Sequence, residues 1–240
     1  MYGYHFSMMG HVLSLHTVYE MARVTIPTFL ESFVREIGRA EADRRIADFA
    51  RRVVNKARID LHVEGREFVP RDRAVVFMAN HQSHMDIPVS YASIGDMTVR
   101  MVGKKELFRI PIWARAMRAG GFVEIDRGDR ASAIASLKRA GAQIRDGVSI
   151  WIAPEGSRSK TGRLGPLKKG GFHLARDTGT PIVPMAITGT GAILPPGTTS
   201  MRYDCPVRVV FGAPIPVHDR SIDELMVEVG DFLRANNGMG

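Results

Sequence analysis

The chain has 240 residues, 45% of them hydrophobic and 24% charged, enough to bury a substantial core as one domain with an appendage. Its formal net charge of +8 points to an anionic partner, whether nucleic acid, a phospholipid surface or a phosphorylated substrate, and does not choose among them. Cys205 is the only cysteine, which excludes an intrachain disulfide and any multi-cysteine metal site and fits a reducing compartment.

Residues 1 to about 24 are rich in Met, aromatic and aliphatic side chains, and read as a helix with a broad apolar face. Pro27 is expected to turn it into a second helix, where Leu30, Phe33, Val34 and Ile37 and then Ile46, Phe49 and Val53 recur at helical spacing. The other face of that second helix carries Arg44, Arg45, Arg51, Arg52, Lys56 and Arg58. Such a pair suits a lipid interface, with apolar side chains in the acyl boundary and cations toward phosphate head groups. An amphipathic pair packed on its own domain has the same periodicity. The first Lys or Arg is Arg23, and His5, His11, His16 and Glu20 interrupt the apolar stretch. Neither a secretory signal nor a transmembrane span is therefore expected, and any membrane contact should be interfacial.

From Ile59 short strands alternate with helices. Strands are expected at Asp60–Val63, Ala74–Met78, Thr98–Val102, Phe122–Ile125, Val148–Ile152, Ile182–Ile187 and Val207–Phe211. Helices are expected at Ile87–Ala92, Ile112–Arg118, Arg130–Arg145, Gly171–Asp177 and Ser221–Ala235. The alternation predicts an α/β fold, a mainly parallel or mixed central sheet flanked by helices, over residues 59–240, preceded by the amphipathic helix pair of residues 1–58. Thr188 to Asp204, with three glycines and two prolines, is the least regular part.

Polar clusters sit where these strands end. After Ala74-Val75-Val76-Phe77-Met78 comes Ala79-Asn80-His81-Gln82-Ser83-His84-Met85-Asp86-Ile87-Pro88, in the position where open α/β sheets bind ligands. On one continuous helix His81 and Asp86 would diverge by about 140°. A strand end carrying His81 and a helix beginning near Asp86, with Pro88 in its first turn, lets them meet as a base and its orienter. The plain alternative is a loop histidine and a capping aspartate. Further clusters are Gly103-Lys104-Lys105, Asp126-Arg127-Gly128 and Ala153-Pro154-Glu155-Gly156-Ser157-Arg158-Ser159. If the strands are parallel, Lys105, Arg127 and Arg158 crowd the rim that holds His81, a setting for a phosphate-bearing substrate. Gly156 permits a tight turn beside Arg158, and Glu155 reads as a brace of that turn. Lys168-Lys169-Gly170-Gly171 has helix-start character and is a further phosphate candidate.

The segment Asn80 to Asp86 resembles the signature of the glycerolipid acyltransferases, a His and an Asp separated by four residues. Phe122 to Arg127 is similar to their second motif, Ala153 to Ser159 to their Phe-Pro-Glu-Gly-Thr-Arg-Ser block, and Pro181 to Met185 to their fourth. The chain most resembles 1-acyl-glycerol-3-phosphate acyltransferases of the PlsC type. Ala153 stands where the family has an aromatic residue and Ser157 where it has threonine, which bears on substrate choice. The resemblance implies acyl transfer from acyl-CoA or an acyl carrier protein thioester to the free hydroxyl of lysophosphatidic acid, forming phosphatidic acid at the cytoplasmic face of the inner membrane. It implies His81 as general base, Asp86 as its orienter, and Lys105, Arg127 and Arg158 on the acceptor phosphate, with a donor near Lys105 for the thioester oxyanion and Asn80, Glu155 and Gly156 supporting the site. An apolar groove leading to His81 is expected for the acyl chain. Glycerol-3-phosphate or a lyso-aminolipid is the rival acceptor. No cofactor is called for, and the eight histidines lack metal-ligand spacing. Ser83 lies in no Gly-x-Ser-x-Gly elbow, which argues against a serine hydrolase. The basic helix has only Phe49 among its cations, which argues against nucleic acid.

Overall fold

The computed structural model describes residues 2–126, 128–195 and 197–237. Two helices come first, α1 (Tyr2–Glu31) and α2 (Arg39–Lys56). Then follow β1 (Asp60–Glu64), β2 (Val76–Ala79), α3 (Asp86–Ile94), β3 (Val99–Lys104), α4 (Pro111–Ala119), β4 (Val123–Ile125), α5 (Arg130–Arg145) and β5 (Ser149–Ile152). The chain continues through α6 (Gly170–Thr178), β6 (Ile182–Thr188), the short α7 (Thr190–Ile193), β7 (Pro206–Phe211) and α8 (Ile222–Asn236).

The seven strands form one mixed sheet in the order β1-β7-β6-β2-β5-β3-β4. From β6 through β4 every neighbouring pair is parallel, as is β1 with β7, and only β6 and β7 run antiparallel. The central strands are apolar on both faces because both faces are covered by helices. Phe77 and Ala79 of β2 point into a core shared with α2 and α3, while Val76 and Met78 point into a second core against α5, α6 and α8. Full burial of a side chain such as Phe77 contributes about 1.5–3 kcal/mol, so these two cores hold the sheet rigid beneath its loops. One consequence fixes the site: β2, β3, β4, β5 and β6 all end at the same rim.

The helix pair departs from the sequence expectation at its turn. Pro27 lies inside α1, and the chain reverses between Glu31 and Arg39 instead. Contacts on both sides of Pro27 keep the helix running: Glu20 pairs with Arg52 of α2, Thr28 and Glu31 accept from Arg45, and Ser32 accepts from Arg115 of α4. Leu30 therefore belongs to α1, and Phe33 and Val34 to the connection. The cations of α2 are also redirected. Arg45 and Arg52 pair with carboxylates of α1 and brace the fold rather than point outward as expected, while Arg58, just beyond α2, stays exposed and pairs with Asp204.

With its carboxylate and hydroxyl turned inward, α1 shows its apolar side to solvent. Leu13, Glu20 and Thr28 are buried, whereas Val12, Leu15, Val18, Tyr19, Ile26 and Leu30 are exposed. Leu107 and Ile110, just before α4, and Ile112 in its first turn are exposed as well, and Arg115 of α4 stacks 3.7 Å from the ring centre of Phe33. No helix among the described residues is long and apolar enough to cross a membrane.

Candidate active site

The strand β2 stops at Ala79 and α3 begins at Asp86, so the intervening residues form the break that the His81–Asp86 pairing requires. His81 Nδ1 lies 2.6 Å from Asp86 Oδ2. That same oxygen accepts the backbone N–H groups of Gln82 at 2.7 Å and Ser83 at 3.0 Å. The other oxygen, Oδ1, accepts the hydroxyl of Thr190. Asp86 is fully buried, and a buried carboxylate is tolerable only when its lone pairs are taken up in this way. It also sits in the first turn of α3, where the helix dipole favours an anion. His81 keeps 18% of its side chain exposed, and its Nε2 has no hydrogen bond among the described residues.

The backbone around the histidine is clamped from three directions. Its N–H donates to Glu155 Oε1 at 2.8 Å, and its carbonyl accepts Ser159 N–H at 2.7 Å. Glu155 Oε2 accepts Gly165 N–H at 2.8 Å, so the buried carboxylate braces both the histidine and its own turn. Burial holds the Glu155 carboxyl above the usual range, against the lowering pull of those two amides. Asn80 donates to Ile187 O at 2.8 Å and accepts Ile187 N–H at 2.7 Å, prolonging the β2–β6 ladder by a side chain. The ring of Trp151 lies edge-on to His81 with centroids 6.1 Å apart.

Gly156 has φ +78, which favours glycine, and a Cβ there would lie 3.0 Å from Lys168 Cε, so the aliphatic stem of Lys168 lies across the turn. Arg158 is half-buried and has no ion pair among the described residues. Its charge reaches His84: the partial burial of that imidazole, then Arg158, then His81, push it below the usual histidine range, and Lys104 adds to the effect. Lys105 stands at the same rim, but its ammonium is 2.7 Å from Asp126. Arg127 lies outside the described residues. The structure thus groups His81, Asp86, Asn80, Glu155, Gly156 and Arg158, and holds Lys105 on a carboxylate. Ser83 is fully buried, and its hydroxyl donates to Leu194 O, which occupies it as a loop tie. Among the described residues no group of three or more His, Cys, Asp or Glu could hold a metal ion.

The sequence reading missed Thr190, Lys104 and Asn237. Lys104 neighbours Lys105 at a strand end and carried the same signal. Thr190 and Asn237 carry none, because each reaches the histidine loop from more than 100 residues away.

A family model described as Acyltransferase matches residues 60–188. The chain is 40% identical over 154 residues to a Brassica napus protein, "1-acyl-sn-glycerol-3-phosphate acyltransferase BAT2, chloroplastic", covering 64% of this chain and 44% of that one. Against the corresponding LPAT1 protein of Arabidopsis thaliana it is 38% identical over 169 residues, 70% of this chain and 46% of that one. The chain spans about half the length of the curated relatives it matches. The crystal structure of the 1-acyl-sn-glycerophosphate acyltransferase PlsC from Thermotoga maritima superposes with a TM-score of 0.80 at 26% identity, covering 96% of this chain and 95% of that one.

Proposed function

The chain belongs to the acyltransferase family, and from that premise we propose that it transfers a fatty acyl group from a thioester to the free hydroxyl of 1-acyl-glycerol-3-phosphate. The observation that carries this reading is the His81 Nδ1 to Asp86 Oδ2 contact of 2.6 Å, which leaves Nε2 as the ring atom open to a substrate. Nε2 takes the proton of the acceptor hydroxyl as its oxygen bonds to the thioester carbonyl carbon. The carbon–sulfur bond then breaks, and the imidazolium returns the proton to the thiolate, so the histidine ends as it began. Asp86 holds the ring and stabilises the imidazolium while Thr190 and two amides hold Asp86.

Arg158, with Lys104 and Lys168 nearby, binds the acceptor phosphate, and Arg127 joins them. Lys105 does so by exchanging Asp126 for phosphate. Residues 1–58 form the membrane-binding unit and 59–240 the catalytic one. The exposed apolar stripe of α1 lies in one leaflet, at the cytoplasmic face of the inner membrane, and holds the rim near lipid acceptors. Acyl-CoA and acyl carrier protein are both thioester donors for this chemistry.

The test measures thiol release from palmitoyl-CoA and palmitoyl-acyl carrier protein against lysophosphatidate, glycerol-3-phosphate and a lyso-aminolipid in vesicles. His81→Ala is expected to lose about 100- to 10,000-fold in kcat while its melting curve stays close to that of the wild type. Turnover close to wild type in that variant refutes the role of His81. Turnover confined to another acceptor replaces lysophosphatidate.

A further inference from the structure

Asn237 follows the last turn of α8, well beyond residues 60–188 that the family model covers, yet it is buried against the histidine loop. Its side-chain oxygen accepts Gln82 Nε2 at 2.7 Å and Asn80 Nδ2 at 3.1 Å. Its amide nitrogen donates to the carbonyl of Gly162 at 2.8 Å. Asn80 and Gln82 are the residues immediately before and after His81. Gly162 belongs to the loop that carries Arg158 and whose Ser159 N–H is bonded to the His81 carbonyl. A single buried amide therefore grips both flanks of the histidine with its acceptor and the cation-bearing loop with its donor. No residue of α8 itself has a hydrogen bond to either segment among the described residues.

We propose that Asn237 is a positioning residue of the active site: it fixes the spacing between His81 and the loop of Arg158, so the carboxyl-terminal helix is part of the catalytic apparatus rather than only a wall of the core. The inference rests on the acyltransferase reading for its kinetic consequence and on the hydrogen bonds alone for its structural one. The two halves of the side chain have separable duties. The oxygen holds the base, which governs the chemical step. The nitrogen holds the Arg158 loop, which governs the acceptor phosphate.

Asn237→Ala removes both, and a displacement of the base by a fraction of an ångström to 1 Å lowers kcat by roughly 10- to 100-fold. Asn237→Asp keeps an acceptor for Asn80 and Gln82 but sets a carboxylate against the Gly162 carbonyl. It is expected to recover part of the kcat lost in Asn237→Ala while raising the KM for lysophosphatidate severalfold. Hydrogen exchange on the full chain reads the same device without activity: in Asn237→Ala the amides of residues 80–83 and 157–165 exchange faster together, while those of β3 are unchanged.

Wild-type kcat and KM in Asn237→Ala, a kcat loss equal to the loss of folded protein in a melt, or exchange unchanged in either segment overturns the proposal. Should Asn237→Ala not fold, the kcat-against-KM split of Asn237→Asp decides, and a uniform loss or none refutes it. A wild-type chain that turns over no acceptor sinks the function proposed above and leaves the exchange measurement to decide this one.

Discussion

Thr190→Val replaces a fully buried hydroxyl by a methyl group of nearly the same shape. In the wild type that hydroxyl donates to Asp86 Oδ1, the carboxylate oxygen that neither His81 nor the two amides reach. Losing it strips a buried anion of a charge-assisted hydrogen bond, a contribution of about 1.5–3 kcal/mol. If that stabilisation is drawn on as the imidazolium forms, every 1.36 kcal/mol is tenfold in rate, and kcat falls by about 10- to 150-fold. The KM for the acceptor should stay within a few-fold, because Thr190 lies on the side of Asp86 away from His81. Thiol-release kinetics on Thr190→Val and Thr190→Ser decide the matter, since serine keeps the donor and loses only the methyl group. Equal losses in the two variants would mean that Thr190 acts by packing, and wild-type kcat in Thr190→Val would mean that Asp86 needs no help. Either result refutes the hydrogen-bond reasoning.

Gly189, which immediately precedes α7, has φ +98, and a Cβ there would stand 2.2 Å from the carbonyl oxygen of Pro206. Gly189→Ala is expected to cost at least about 2 kcal/mol and to lower the melting temperature by about 4–8 °C; an unchanged melt contradicts the close approach of these strands. At the helix-pair turn, the Arg35 hydrogen bond and then Arg45 hold Glu41 at about 2, below its ordinary value of 4.5. Its folded pKa is depressed, so its contribution is complete above about pH 4.5 and is lost as the pH falls toward 2. The melting difference between wild type and Glu41→Gln should therefore shrink between pH 5 and pH 2, and a constant difference excludes the pairing.

Much of the fold was written in local pattern. The strand ends fell within a residue or two of expectation because the central strands are short apolar runs such as Ile150-Trp151-Ile152 and the edge strand β1 alternates apolar and polar residues. The His81–Asp86 break was legible because helical geometry forbids the pair on one helix and Pro88 marks a first turn. Pro27 misled, since a proline inside a helix loses an amide and crowds the preceding turn, yet ion pairs to α2 on both sides of it hold α1 continuous. The direction of the α2 arginines was hidden for the same reason: periodicity shows that a face is charged, not whether solvent or a carboxylate such as Glu20 meets it. The support of the site was invisible, because the reach of Thr190 and Asn237 to the histidine loop depends on where β6 and α8 end in space.

If the outward apolar stripe of α1 seats in a leaflet as proposed, it changes what concentration means for this protein. On the proposed function, a chain held at a lipid surface would meet a lipid acceptor in two dimensions, and its rate would follow the mole fraction of lysophosphatidate in the leaflet rather than the molarity in the tube. Adding inert phospholipid to a reaction already saturated with vesicles should then slow turnover by surface dilution, with every solute concentration unchanged.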